Sequence, residues 1–449
     1  MKTLELTLIS FLALVISPAT AAPGLTLSEA LRAAMRQNPD ITSARHRQDA
    51  AEWGRSAARG AFLPKIVAEG SWTQLDPVPT REITLPLPAP LGGPQTREIE
   101  LGDEETKKIS AVITQNVFAS GADWFSWRAA SAGAEAARFG AEATRQNTAL
   151  ECARVFGLVL LAEAQERAFA NMVTMKERTF LEINSGFRVG RASELDRLKA
   201  ESALETVRAD WNQAKARVAQ ARMNLSRLMG RPLEDQEKIE GQLDIQHSEA
   251  SSEVMTSDPV STNPQWRALE LLADQKVAQA REATARHLPS VTIGARRDWA
   301  TPFASQDEWG ETTTMFAQAS WLLFDGLTQR SRVGALGAEA AETRSRGESL
   351  KESLRLASRS ASLNAHAAIE RHRAMSRSVE LATKAREIAR VGHSAGTVTT
   401  AGVLEADAAL LQAELALLQT SYDFNVARWE GLTVSGQIIS TLLGKETPQ

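Results

Sequence analysis

Apolar residues along most of this chain recur at spacings of three and four. Leu198, Leu204, Val207 and Trp211 do so, then Val218, Met223, Leu225 and Leu228, and later Leu404, Leu411, Leu415 and Leu418. Each stripe is narrow and flanked by Glu, Arg and Gln, the pattern of helices packed side by side in coiled-coil fashion. The stretch 123–187 lacks proline and is dense in Ala, Glu, Arg and Leu. That predicts one helix of roughly 100 Å, at about 1.5 Å per residue. Further helices are predicted over 193–229, 327–391 and 399–433. Four segments switch to a period of two. Ile66, Ala68, Gly70 and Trp72 share one face of the first, with Lys65, Glu69, Ser71 and Thr73 on the other. Strands are thus predicted over 64–75, 107–118, 289–299 and 312–324. Roughly 10–13 residues is the length that a tilted membrane-spanning strand needs.

These elements come in the same order twice. Asn38-Pro39, Asp49 and Leu63-Pro64 recur as Asn263-Pro264, Asp274 and Leu288-Pro289, at an offset of 225. Phe118, Gly190, Leu198, Gln213 and Gly230 recur as Phe324, Gly396, Leu404, Gln419 and Gly436, at an offset of 206. The 19-residue change falls between Pro64 and Phe118, where the connection 76–106 holds six of the sixteen prolines. That composition rules out regular helix and predicts a solvated loop. The reading is a first structural repeat over 22–230, a linker over 231–262, a second repeat over 263–436 and a tail over 437–449. A period this long does not fit solenoid repeats of roughly 20–50 residues, and implies two halves of one pseudo-symmetric body.

The first 21 residues read as a secretory signal peptide: Lys2, an apolar stretch from Leu6 to Ile16, then Ala19-Thr20-Ala21 as cleavage site. No cysteine follows that site, so an N-terminal lipid anchor has no acceptor. The single cysteine, Cys152, cannot form an intrachain disulfide. No later run is apolar enough for a membrane helix. A net charge of −4 argues against a nucleic-acid partner.

Candidate chemistry is sparse. The six histidines have no metal-ligand spacing, and no nucleophile, zinc or phosphate-loop motif occurs. The expectation is no enzyme, no metal and no cofactor. Trp72 and Trp321 lie on or beside strands, where aromatic girdles meet the lipid interface; packing at a junction is the competing reading. The turns Val189-Gly190-Arg191-Ala192-Ser193 and Ala395-Gly396-Thr397-Val398-Thr399 each join two helices, with glycine closing one helix and Ser or Thr capping the next.

Taken in order and duplicated, these marks resemble the outer-membrane efflux protein family, the TolC-like channel-tunnels of Gram-negative bacteria. The marks are Leu27-Ser28-Glu29-Ala30-Leu31 with Asn38-Pro39, Leu63-Pro64 before the first strand, Phe324-Asp325-Gly326, and Ala395-Gly396-Thr397 before Val403-Leu404-Glu405-Ala406. The resemblance implies a mainly α fold with membrane β: a homotrimer whose four strands per protomer build a 12-stranded barrel in outer-membrane lipid, with the helices forming a periplasmic α-barrel tunnel. Four strands cannot close a barrel alone, and lipid tolerates no open edge.

The family also implies a passive exit duct for efflux or type I secretion, working with a periplasmic adaptor and an inner-membrane pump. The turns would be adaptor-docking tips: Val189, Gly190, Arg191 and Ser193 in the first, Gly396, Thr397 and Thr399 in the second. Glu405 matches an acidic position of the family's tunnel constriction. The companion acid is replaced by Gly402, whose repeat equivalent is Asp196; ordinary helical surface charge is the alternative for both acids. The rival reading of the whole chain is a periplasmic coiled-coil adaptor or scaffold without a channel.

Overall fold

The computed structural model describes residues 24–86, 88–91, 93–233, 237–243, 245, 260–302 and 308–444. The signal segment and its cleavage site lie outside these residues, as does part of the linker. The chain is mostly helical, and its element order shows the duplication. After α1 (Leu27–Gln37), the first repeat runs α2 (Pro39–Arg59), β1 (Lys65–Gln74), β2 (Thr80–Leu85), β3 (Gln95–Glu100), β4 (Glu105–Phe118), α3 (Ala122–Arg188) and α4 (Glu194–Met229). The second runs α5 (Pro264–Arg286), β5 (Ser290–Thr301), β6 (Gly310–Ser320), α6 (Thr328–Ser394) and α7 (Thr400–Val434), with α8 (Ile438–Leu443) behind it.

The repeated Asn-Pro pair has a local cause. Asn38 Oδ1 accepts the Asp40 N–H at 2.8 Å, and Asn263 Oδ1 accepts those of Gln265 and Trp266 at 3.0 and 3.2 Å. Each asparagine caps a helix whose first residue is proline, the one residue that sacrifices no N–H there.

Two compact units emerge, each drawing on both repeats, and α3 and α6 contribute to both. The first unit comprises the described residues up to Thr42, then those within Thr144–Pro259 and Arg355–Gln449. Its main core joins Leu31 and Ala34 of α1, Cys152, Phe156 and Val159 of α3, Leu225 and Met229 of α4, Trp429 and Leu432 of α7, and Ile438 of α8. Small residues let the helices approach: a Cβ on Gly157 would lie 2.9 Å from the Trp429 ring. Where α4 ends, Gly230 adopts φ +69°, and a Cβ there would lie 2.5 Å from the Gln37 carbonyl oxygen. Both its conformation and its space require glycine.

The second unit, Ser43–Ala143 and Val260–Leu354, holds both sheets. One is antiparallel in the order β1-β4-β5-β6. The other is the ribbon β2–β3, which lies inside the proline-rich connection expected to be loop. It continues the β1–β4 pair directly: the Leu75 N–H donates to Glu104 O at 2.9 Å and the Leu101 N–H to Pro79 O at 2.7 Å.

Candidate functional site

The four-stranded sheet sorts its side chains by chemistry. Cross-strand neighbours point the same way, so register assigns the faces. One face carries Ile66, Ala68, Gly70 and Trp72 of β1, Ile109, Ala111 and Ile113 of β4, Ile293, Ala295 and Trp299 of β5, and Met315, Ala317 and Ala319 of β6. The other carries Glu69, Lys108, Ser110, Arg296 and Asp298, from three different strands. There the Ser110 hydroxyl donates to Asp298 Oδ1 at 2.6 Å, Lys108 Nζ lies 3.4 Å from the same oxygen, and Arg296 reaches Glu69 at 3.5 Å. Toward the end where Trp72 lies, the first face also carries Glu105, Lys107, Arg297 and Glu311, with Arg297 paired to Glu311 at 2.5 Å. Its lipid-compatible part is therefore the band from Ile66 and Ile113 to Ile109, Ala295 and Met315. The second face is mainly polar, with Val67, Val112 and Phe316 as exceptions.

The apolar face stays uncovered, with Ile66 75% and Met315 83% exposed. Among the described residues, β1 and β6 are hydrogen-bonded on one side only. Trp72, at the loop end of β1, is exposed and donates its indole N–H to Glu105 Oε1 at 2.8 Å. Trp321 falls just past the end of β6, at the opposite end of the sheet, where it starts an exposed run with Leu322, Leu323 and Phe324. The two tryptophans thus mark the two ends of the strands.

The two helix–helix turns are built alike. In the first, Gly190 (φ +71°) follows α3, and the Arg191 N–H reaches back to Gly186 O at 2.8 Å. In the second, Gly396 (φ +77°) follows α6, and the Thr397 N–H reaches Gly392 O at 2.8 Å. Each is a Schellman closure with glycine in the left-handed region. A Cβ on either glycine would meet nothing within 4 Å, so both tips face open space. Val189, Arg191 and Thr397 are likewise at the surface, fully or in part.

Beyond the turns the hairpins diverge. Ser193 and Asp196 form a reciprocal capping box: the Ser193 hydroxyl accepts the Asp196 N–H at 3.1 Å, the Ser193 backbone N–H donates to Asp196 Oδ2 at 3.3 Å, and the hydroxyl also donates to that oxygen at 2.6 Å. Those bonds to Ser193, its hydroxyl first, hold the Asp196 carboxyl below the usual aspartate range. Thr399 caps α7 by accepting the Gly402 N–H at 3.3 Å, and with glycine there the reciprocal bond is missing. Glu405 is exposed, on the side of α7 away from the buried Val403, Asp407 and Leu410.

Sequence inspection passed over the neighbour of Glu405. Asp407, 1% exposed, lies 3.0 Å from Lys176 Nζ of α3 and accepts from Arg386 Nε of α6 at 2.8 Å. Lys176 is itself 4% exposed and also donates to the Leu404 carbonyl at 3.3 Å. A buried carboxylate thus ties three helices through two cations. One heptad further along α7, burial raises the Glu414 carboxyl above the usual range, an effect that nearby Arg386 opposes.

Cys152 is fully buried, and desolvation pushes its thiol up to about 12. Among the described residues no cluster of His, Cys, Asp and Glu could hold a metal, and no helix is long and apolar enough to cross a membrane.

Comparison with known proteins agrees with this architecture. The CmeC outer membrane channel of Campylobacter jejuni superimposes with a TM-score of 0.80 at 16% identity, over 92% of this chain and 85% of that one. VceC, an outer membrane protein of Vibrio cholerae, gives 0.75 at 15% identity over 91% and 96%. The open state of the MtrE outer membrane channel of Neisseria gonorrhoeae gives 0.73 at 17% identity over 94% and 91%. At these identities the likeness concerns the fold. No curated protein matches the chain in sequence. The outer membrane efflux protein family matches residues 30–231 and 257–430, most of both repeats, and the chain belongs to that family.

Proposed function

We propose that three copies of this chain form a passive outer-membrane exit duct. The carrying observation is the four-stranded sheet, with one face apolar over a band that ends at the charges Lys107, Arg297 and Glu311, one mainly polar face, and among the described residues an unpaired strand at each edge. In lipid an unpaired edge costs several kcal/mol per exposed group, roughly, so the edges must meet other edges. Three sheets joined β6 to β1 give a 12-stranded barrel with the Glu69–Lys108–Asp298–Arg296 face lining the water. Trp72 and Trp321 then sit in girdles at the two interfaces. The helices continue the duct on the periplasmic side, and energy comes from an inner-membrane pump through a periplasmic adaptor. Channels similar in fold and the family's own description support this reading.

Within it, Val189, Gly190, Arg191, Ser193, Gly396, Thr397 and Thr399 form the rim that the adaptor grips, and three copies of Glu405 narrow the entrance. Asp196 is held by its capping box, which leaves Glu405 as the principal acid there. Single-channel recording in planar bilayers tests the proposal: purified protein is expected to give stable conductance with cation preference. Glu405→Gln is expected to weaken that preference, whereas Glu348→Gln, on an exposed face of α6, leaves it unchanged. No conductance from folded, inserted protein would sink the duct; equal preference in all three proteins would remove Glu405 from the constriction.

A further inference from the structure

The ribbon β2–β3 carries charges that do not balance within its own chain. Thr80, Glu82 and Thr84 stand opposite Glu100, Glu98 and Thr96, so these six share one face. Arg81, Ile83 and Leu85 stand opposite Ile99, Arg97 and Gln95 on the other. One face thus holds three carboxylates and no cation, while the other holds two guanidinium groups, three aliphatic side chains and no carboxylate. Glu82 and Glu98 are direct cross-strand neighbours, and like charges so placed destabilise a ribbon. None of the five charges has an ion-pair partner among the described residues; Glu98 accepts only the Thr80 hydroxyl, at 2.6 Å. Ile83, Ile99 and Leu85 are 41%, 44% and 46% exposed. A lone two-stranded ribbon is marginal in water, and both faces of this one want a partner.

We infer that the partner is the same ribbon of the next copy, the basic and aliphatic face of one packing on the acidic face of its neighbour. This rests on the trimeric reading above. The two faces differ, so the contact is head to tail, and a threefold rotation closes such contacts into a ring. The dimensions permit it. Twelve strands about 4.8 Å apart and tilted about 40° enclose a radius of about 12 Å. Six residues of strand reach about 20 Å, so ribbons rising from the rim meet by leaning inward. Arg81 and Arg97 then offset two of the three carboxylates Glu82, Glu98 and Glu100 of the adjacent copy, leaving one negative charge per contact, and the aliphatic side chains leave water. The result is an interlocked collar at the end of the barrel remote from the helices.

The test is Arg81→Cys/Glu98→Cys, oxidised mildly in native membranes. The two positions project from opposite faces of one ribbon and cannot bridge within a chain. The buried Cys152 stays out of the reaction. Most of the chain is expected to run as covalent dimer and trimer without reductant, while either single variant stays monomeric. A double variant that cross-links no more than the singles overturns the collar, provided native mass spectrometry of the same sample reads three copies. A reading of one copy instead sinks the trimer itself, and the collar with it. Hydrogen exchange gives a second readout. Protection of the β2–β3 amides should fall in Arg81→Glu/Arg97→Glu and return when Glu82→Arg/Glu98→Arg is added. Wild-type protection that vanishes on chelating divalent cations, or on stripping lipopolysaccharide, overturns the collar in favour of those occupants.

Discussion

The two helical hairpins of the first unit share a turn and differ inside. At the turn they share the residues that close and cap the helices: Gly186, Gly190 and Ser193 in one, Gly392, Gly396 and Thr399 in the other, although Arg191 is replaced by Thr397 between them. In the seam they part. The buried part of the first is apolar, with Met172, Val173, Leu204 and Val207 buried and Phe180 and Trp211 packed against them. Its cross-helix polar bonds, Arg208 to Glu177 at 2.7 Å and Trp211 to Glu166 at 2.6 Å, lie at the partly exposed margin. The repeat equivalents of Phe180 and Glu201 are Arg386 and Asp407. Glu201 is half-exposed and pairs with Arg197 at 3.1 Å on its own helix, whereas Asp407 is buried and binds across helices. Backbone geometry was kept through the duplication while one seam exchanged dispersion for charge. An apolar seam tolerates small shifts, because it has no direction. An ionic one holds a single register and loses much when a partner leaves.

The largest effect tests what the hairpins share. Gly190→Trp and Gly396→Trp are each expected to abolish export in cells and to reduce co-purification with the adaptor, leaving the strands and assembly intact. The positive φ strains any side chain at these positions, but the indole has open space on the free protein, so steric obstruction would arise only with a partner present. Normal export by both variants at normal abundance would remove the tips from the docking surface.

Next comes the contrast in the seams. Asp407→Ala strands Lys176 and Arg386, and is expected to cost about 3–5 kcal/mol in denaturant unfolding of the helical unit. Glu201→Ala removes a half-exposed pair within one helix, worth about 0.5 kcal/mol. Replacing the buried pair by Lys176→Met/Asp407→Leu should recover most of the loss. Equal costs at both positions would mean that the two seams are energetically alike.

The smallest effect separates the two caps. Ser193→Ala removes the two bonds of the hydroxyl while the backbone N–H keeps its bond to Asp196 Oδ2, and should cost about 1 kcal/mol; Thr399→Ala, with only one hydroxyl bond to lose, should cost less. Because the native Asp196 carboxyl is depressed, its contribution is complete above the unfolded value near 3.9 and disappears as pH falls through the lower native value. The cost of Ser193→Ala, followed by thermal melts, should therefore shrink toward acid pH. A pH-independent cost would detach Asp196 from the cap.

The sequence made the fold class legible because period and duplication both survive in single residues. Asn-Pro pairs, paired glycines and apolar stripes recur at fixed offsets and carry direct structural causes. Three features escaped. In β2 and β3 each face mixes charge with threonine or aliphatic residues, so neither reads as an apolar stripe, and the surrounding prolines argue for loop. Lys176, Arg386 and Asp407 look like ordinary helical surface charge, since burial of a charge depends on which helices meet. The Glu69–Arg296–Asp298–Lys108 network joins strands from different repeats, a proximity that register alone creates. Glu405 was visible because its place in a motif is local; its exposure on α7 fits a constriction and a solvated surface equally, which is why selectivity decides it.

The central claim is that the open edges of this four-stranded sheet close on other copies of the chain. Native mass spectrometry of protein extracted from outer membranes in mild detergent measures this directly. Three chain masses, resistant to dilution and lost when β1 or β6 carries a mid-strand proline, are the predicted result. A single chain mass from protein that still inserts into membranes and conducts would contradict it.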